Sequence, residues 1–312
     1  MTTVGMLLFS LSAAAGAQPY DEVRVAAVTA FTEGPATDAE GNVYFTETVN
    51  NRIFRFTPGK GITIFRENSN AANGLVFDRQ GRLIACEGSD DVRRNPRVTR
   101  TDIKTGKMEV LAGTERGTPL NRPNDVTIDG RDRIYFTDPG PVGKSAVYRI
   151  DPDGKVTRIL AEPAIERPNG LMVSPDDRTF YLVETNRTDS GKPDKLARMI
   201  RAYDLSAGGT VSNMRVFHDF HPGRSADGAC IDTRGNLYAV AGLHLRRATS
   251  ETLDTRAGVY VFSPGGRLLR FIGIPEDTVT NCTFGGPELR TLYVTAGKTL
   301  FEVSVEVAGT RR

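Results

Sequence analysis

One segment recurs six times along the chain, and that recurrence limits the fold more than any other feature. "NDVTIDGRDRIYFTDP" from Asn124 and "NGLMVSPDDRTFYLVET" from Asn169 share a grammar with four other stretches. These are "EGPATDAEGNVYFTET" from Glu33, "NGLVFDRQGRLIACEG" from Asn73, "DGACIDTRGNLYAVAG" from Asp227 and "NCTFGGPELRTLYVTAG" from Asn281. The anchors lie 40 to 58 residues apart, close to the period of a four-stranded propeller blade. In each copy a short apolar strand meets a turn rich in Asp, Gly and Arg, and a second β-rich strand returns. Further strands such as "RIFRFTP" and "GVYVFSPGG" complete each unit, and helical periodicity is nearly absent. The fold class is therefore all-β: a six-bladed β-propeller with four-stranded antiparallel blades. The last copy ends too soon, at "TLFEVSV", while "DEVRVAAVTA" stands unassigned ahead of the first. That N-terminal strand is expected to complete blade six and close the ring, which removes exposed edges.

The start, "MTTVGMLLFSLSAAAGAQPYDE", has an apolar core from Val4 to Leu11 and a small-residue Ala15-Gly16-Ala17 site, although no Lys or Arg precedes the core. That is the layout of a cleavable signal peptide over residues 1–17. Residues 18–312 then form a single propeller domain, expected in the periplasm or outside the cell. No later stretch is apolar for the ~20 residues a membrane helix needs, so no membrane association is expected after cleavage. The 40 basic and 38 acidic side chains are scattered, which excludes a nucleic-acid footprint. Three cysteines, Cys86, Cys230 and Cys282, cannot build a disulfide-rich scaffold. Each sits in or beside an apolar run and reads as a small buried hydrophobe. The sequence leaves the oligomeric state open.

In a propeller the innermost strands start at one face, so the six anchors should gather round one mouth of the central channel. The hairpins should return to that face at Glu47, Glu87, Asp138, Glu184, Ala241 and Ala296. A ring of carboxylate and amide oxygens without His or Cys suits a hard cation, and Ca²⁺ tolerates an irregular cage better than Mg²⁺. Glu33 and Asp227 would balance one divalent ion, with two amide oxygens completing the protein's share. Asn-Gly and Asp-Gly are also ordinary turn makers. Glu33 is a poor turn residue standing where the other copies have Asn or Asp, and it favours ligation over turn formation.

The segments "EGPATD", "NRPNDV", "RPNGL", "ADGACID" and "TNCTFGGPELRTLYVT" resemble signatures of the senescence-marker protein/gluconolactonase family, the regucalcin-like six-bladed propellers. The resemblance runs from about Phe31 to Val305. It implies a divalent cation in the channel and hydrolysis of a lactone, with a sugar lactone such as gluconolactone as the small-molecule substrate. Ca²⁺ is the expected ion, with Zn²⁺, Mn²⁺ and Mg²⁺ as alternatives. By the same resemblance the metal ligands fall on Glu33, Asn169 and Asp227, and Asp227 is also the general base. Arg122 and Asn124 match a substrate-contacting segment, and Asp138 falls where some members place an acidic substrate contact. Asn73, Glu87 and Asn281 are expected at the rim or behind the ligands. Many bacterial members read Cys-Glu-His and Asp-Pro-Pro-Tyr-Gly where this chain has "CEGS" and "TDPGPVG", so its substrate side differs.

Other constellations carry less. No G-x-S-x-G elbow is present, and His218, His221 and His244 lack metal-ligand spacing. "DPDGK" lacks the distal Glu of a calcium loop and reads as a turn. The long connections 88–96, 186–199 and 243–256 are expected to overhang the metal face, with Arg93, Arg94, Arg246 and Arg247 facing an anionic or hydroxylated substrate. Arg122 and Asn124, two apart in an extended segment, should project to one side. The rival is an Arg122 ion pair with Asp125 or Glu87. Two other functions compete with lactone hydrolysis: a non-catalytic calcium- or ligand-binding propeller, and a hydrolase of another cyclic ester or a phosphotriester.

Overall fold

The computed structural model describes residues 23–88, 95–185, 197–247 and 250–311. The signal-peptide segment, Arg93, Arg94 and most of the 88–96 and 186–199 connections lie outside the described residues. Blade 1 runs outward through Thr32–Thr37, Val43–Glu47, Arg52–Thr57 and Gly61–Glu67. Blades 2 to 5 repeat this order, starting from the innermost strands Ala72–Phe77, Val126–Ile128, Pro168–Val173 and Ala226–Ile231. Blade 6 has Val279–Gly285 innermost, then Thr291–Ala296 and Thr299–Ser304. Its outermost strand is Arg24–Val28, antiparallel to Thr299–Ser304 with Arg24 opposite Glu302. The ring thus closes through the expected N-terminal strand. A small extra hairpin, Thr114–Glu115 with Thr118–Pro119, sits between blades 2 and 3.

The core is divided into six parts, one between each pair of neighbouring blades. Ile84, Cys86 and Val98 of blade 2 pack on Val126, Ile134 and Phe136 of blade 3. Val43, Phe45 and Phe56 of blade 1 pack on Tyr293 and Leu300 of blade 6. A second strand is therefore covered on both faces. Val43–Glu47, Ile134–Asp138 and Leu237–Ala241 are buried at every position, and their sequences are nearly continuous apolar runs rather than alternations. Outer strands such as Met108–Ala112 meet water and carry more exposed residues. All three cysteines are buried and unbridged, and Cys230 and Cys282 share the apolar cluster between blades 5 and 6.

The far face of the ring is held by a repeated acidic turn between first and second strands. Asp38 accepts the amides of Glu40 and Asn42, Asp78 those of Gln80 and Arg82, and Asp232 those of Arg234 and Asn236. Asp129 does the same for Arg131 and Arg133, and also takes Arg133 Nε at 2.6 Å and the Tyr135 hydroxyl at 2.9 Å. Such an Asx turn mimics a backbone turn and fixes hairpin register. Asp129 is fully buried, so its removal strands a buried guanidinium. Asp129→Ala should lower unfolding stability by about 3 to 5 kcal/mol in urea titration. Asp204→Ala, which breaks an exposed pair with Arg215, should leave the midpoint almost unchanged.

Candidate active site at the channel mouth

Five of the six innermost strands carry a bulge where they enter the channel. The register slips between Glu33 and Ala36, Ala72 and Leu75, Pro168 and Leu171, Ala226 and Ala229, and Val279 and Asn281. Asn124 precedes the assigned strand of blade 3 yet donates its amide to Thr137 O at 2.8 Å, holding the equivalent place. A bulge re-aims the side chain beside it. The ladder partners just before the anchors, such as Thr32 with Glu47 and Ala72 with Glu87, put all six anchors at one end of the ring.

The next residue lets the strands come close. At Gly34, with φ of 32°, a Cβ would stand 2.1 Å from the carbonyl oxygen of Asn73. At Gly74 it would stand 2.4 Å from Asp125 Oδ1. Only glycine tolerates both the conformation and the approach at Gly34. The anchors therefore converge. Asn169 donates to Asp227 Oδ1 at 2.5 Å across the boundary of blades 4 and 5. Asn281 of blade 6 donates to Asp125 Oδ2 of blade 3, on the opposite wall, at 3.2 Å. This last contact forms a floor. The channel also holds a cavity of about 480 Å³ lined by Asp125 and Asn281 together with apolar residues such as Leu75, Leu171 and Phe284. The convergent acids and arginines belong to the mouth, so the chemistry is assigned there rather than to that cavity.

Three carboxyls act on one another here. Burial raises Glu33 well above the usual carboxylate range, and Asp227 and Asp125 raise it further. Burial likewise raises Asp227, opposed by Arg224, Asn169, Arg167 and Arg247. Asp125 is pushed up to about 7 by burial, against the donors Val126 N and Asn281. Desolvated acids that repel one another would be stabilised further by a cation placed between them. Glu33, Asp227 and the amide oxygen of Asn169 offer only oxygen donors, a chemistry that suits a hard divalent cation. Among the described residues no group of three or more His, Cys, Asp or Glu side chains forms a metal cluster; the expected set has two acids and one amide.

The hairpin-return acids reach the anchor face as expected, but their carboxyls are taken up by adjoining loops and strands. Glu47 accepts the amides of Val49 and Asn50. Glu87 binds Arg66 at 2.5 Å, Arg97 at 2.6 Å and Thr99 at 2.8 Å. Glu184 takes the amides of Glu166 and Arg167 and lies 3.3 Å from Arg201. Asp138, expected as a substrate contact, accepts the amides of Asn121 and Arg122, the latter at 2.6 Å, and is fully buried. The physical reason is satisfaction: these acids are buried at strand ends, where loop N–H groups serve Glu47, Asp138 and Glu184 and strand side chains serve Glu87. Glu87 is accordingly a blade-2 ion-pair centre rather than a rim group, and Asp138 sets the backbone of Arg122.

Arg122 is exposed. Its stem lies against Gly88, where a Cβ would stand 2.8 Å from Arg122 Cγ. Neither rival partner holds it, since Asp125 is engaged by Asn281 and Val126, and Glu87 by Arg66 and Arg97. Arg224 approaches Asp227 Oδ2 at 3.6 Å, and Arg247, in the 243–256 connection, contacts Thr278. Arg167 and Arg224 were not singled out by sequence, and Asp125 was named only as a rival partner for Arg122. The signal for Asp125 was available: four copies have Gly after the anchor, and this one has Asp.

The SMP-30/Gluconolactonase/LRE-like region matches residues 31–298. A gluconolactonase of Zymomonas mobilis is 27% identical over 89% of this chain and 80% of its own. A pentonolactonase of Haloferax volcanii is 27% identical over 84% and 80%. The solved structure of a gluconolactonase from Xanthomonas campestris superposes with a TM-score of 0.73 at 28% identity, covering 90% of this chain and 88% of that one.

Gly34→Ala should cost about 2 kcal/mol or more in urea unfolding, because strain and backbone overlap add. Gly41→Ala, at a turn where a Cβ meets nothing within 4 Å, should cost less. With its family match, the order of its blades and the convergence of its anchors on one mouth, the chain belongs to the SMP-30/gluconolactonase/LRE-like family.

Proposed function

We propose that the protein is a metal-dependent lactonase acting on five- or six-carbon sugar lactones, exported by means of residues 1–17. The observation that carries this is the convergence of Glu33, Asn169 and Asp227 at one mouth, in a chain whose relatives include a gluconolactonase and a pentonolactonase. Glu33, Asn169 and Asp227 would hold a divalent cation, Ca²⁺ because an irregular oxygen cage suits it better than Mg²⁺. When bound, the cation supplies Lewis-acid polarisation of the lactone carbonyl.

The chain's own residues do the rest. Asp227 accepts a proton from the attacking water, and a carboxylate whose proton affinity burial has raised suits that role. Arg224 and Asn169 fix the two Asp227 oxygens. Arg122 and Asn124 orient ring and hydroxyl oxygens, with Asp138 setting the Arg122 backbone. Asp125 and Asn281 close the space beneath. No covalent nucleophile is needed.

A lactone panel assayed with and without chelator tests the reading. Sugar lactones should be hydrolysed, activity should vanish on chelation and return with Ca²⁺, and acyl homoserine lactones should be poorer substrates. Failure to turn over any lactone with metal present sinks it. Asp227→Asn should lower kcat by roughly 10²-fold or more while weakening metal binding less; a wild-type rate would remove Asp227 as the base. Glu33→Ala discards half the anionic charge of the ligand set. Calorimetry should find its Ca²⁺ affinity severely reduced, and unchanged affinities for Ca²⁺, Mn²⁺ and Zn²⁺ would exclude Glu33 as a ligand.

A further inference from the structure

The tripeptide Arg-Pro-Asn occurs at the mouth twice, as Arg122-Pro123-Asn124 in blade 3 and Arg167-Pro168-Asn169 in the adjacent blade 4. Both arginines are built in by the same device. A fully buried acid at the end of the second strand, Asp138 or Glu184, accepts the arginine's backbone amide and that of the residue before it. The following proline restricts each arginine to extended backbone. Two independent constraints thus fix where each arm leaves the rim, and neither uses the guanidinium.

Most other arginines near this face are already paired with a carboxylate, and Arg247 is held by the Thr278 hydroxyl. Arg66 and Arg97 meet Glu87, Arg201 meets Glu184, and Arg224 lies beside Asp227 and Glu251. Arg122 and Arg167 have no carboxylate partner among the described residues. Arg167 stands two residues before Asn169, which donates to Asp227 Oδ1, so its arm leaves the rim beside the reacting centre. A neutral sugar ring offers these two arms only hydroxyl and ring oxygens. An oxyanion gives charge-assisted, bidentate hydrogen bonds of the kind guanidinium is shaped for.

We propose that Arg122 and Arg167 form a two-armed clamp for an exocyclic oxyanion, so that the preferred substrate is a sugar lactone carrying a second, ionised group. This rests on the lactonase reading for the reaction, but not for the recognition. A carboxylate at the far end of an aldaric lactone and a phosphate ester on an aldonic lactone share the chemistry, and parallel assays separate them. Arg167 is then a specificity-determining residue equivalent to Arg122, one blade further round.

The test has two arms. In steady-state kinetics, kcat/KM for a glucaric acid lactone or a 6-phosphogluconolactone should exceed that for gluconolactone by about tenfold or more, chiefly through KM. The advantage should shrink with added salt. Arg167→Gln, with its melting temperature checked against wild type, should lower that ratio about tenfold, and Arg167→Lys should restore part of it. In the second arm calorimetry compares methyl glucuronide anion with methyl glucoside, neither of which is a lactone. Tighter binding of the anion, lost in folded Arg167→Gln, supports the clamp even if no lactone is hydrolysed, an outcome that would overturn the lactonase reading alone. Equal turnover of charged and neutral lactones, or an anion preference that survives in Arg167→Gln, overturns the clamp and leaves the lactonase reading standing.

Discussion

The innermost strands approach so closely at the channel axis that the residue after the anchor has almost no room for a side chain. A Cβ at Gly34, Gly74, Gly170 or Gly228 would fall 2.1 to 2.5 Å from a neighbouring blade's atoms. That proximity brings side chains from opposite blades into contact, as between Asn281 and Asp125. It also lets Glu33, Asp125 and Asp227 act on one another's charge. The six interblade cores hold the blades at this spacing, and the Arg24–Val28 strand closes the ring on which that spacing depends.

Acidic residues divide into two groups by what satisfies them. On the far face and in the loops, Asp38, Asp78, Asp129, Asp138 and Glu184 each receive two or more backbone amides. Those acids hold turns and connections in place. In the channel, Glu33 and Asp227 are desolvated and surrounded partly by like charge. Such carboxylates gain most from a cation, and a base needs the raised proton affinity that the same environment gives. Composition alone does not tell the groups apart, since both consist of Asp and Glu near strand ends.

The two arginine arms join the groups. Asp138 and Glu184 contribute to the mouth by fixing the backbone from which Arg122 and Arg167 extend. Replacing either acid would disturb recognition without removing a group that touches substrate. Arg224 and Arg247 add positive charge on the blade-5 side, where they oppose the burial of Asp227.

The blade count, the all-β class, the N-terminal closure and the common face of the six anchors were legible in the sequence. Each follows from local rules: period-two patterning, turn chemistry and a repeat that places equivalent residues equivalently. The side-chain directions of Glu47, Glu87, Asp138 and Glu184 were not legible. A residue ending a strand can turn toward the channel or into the loop, and the choice depends on donors such as Arg66 and Arg97 delivered by neighbouring strands. Asp125 was hidden for a related reason, because its partner Asn281 lies 156 residues away and meets it only across the closed ring. The sequence determined which residues come to the mouth; tertiary structure decided which of them keep their charge free, because only the folded ring brings each acid its donors or withholds them.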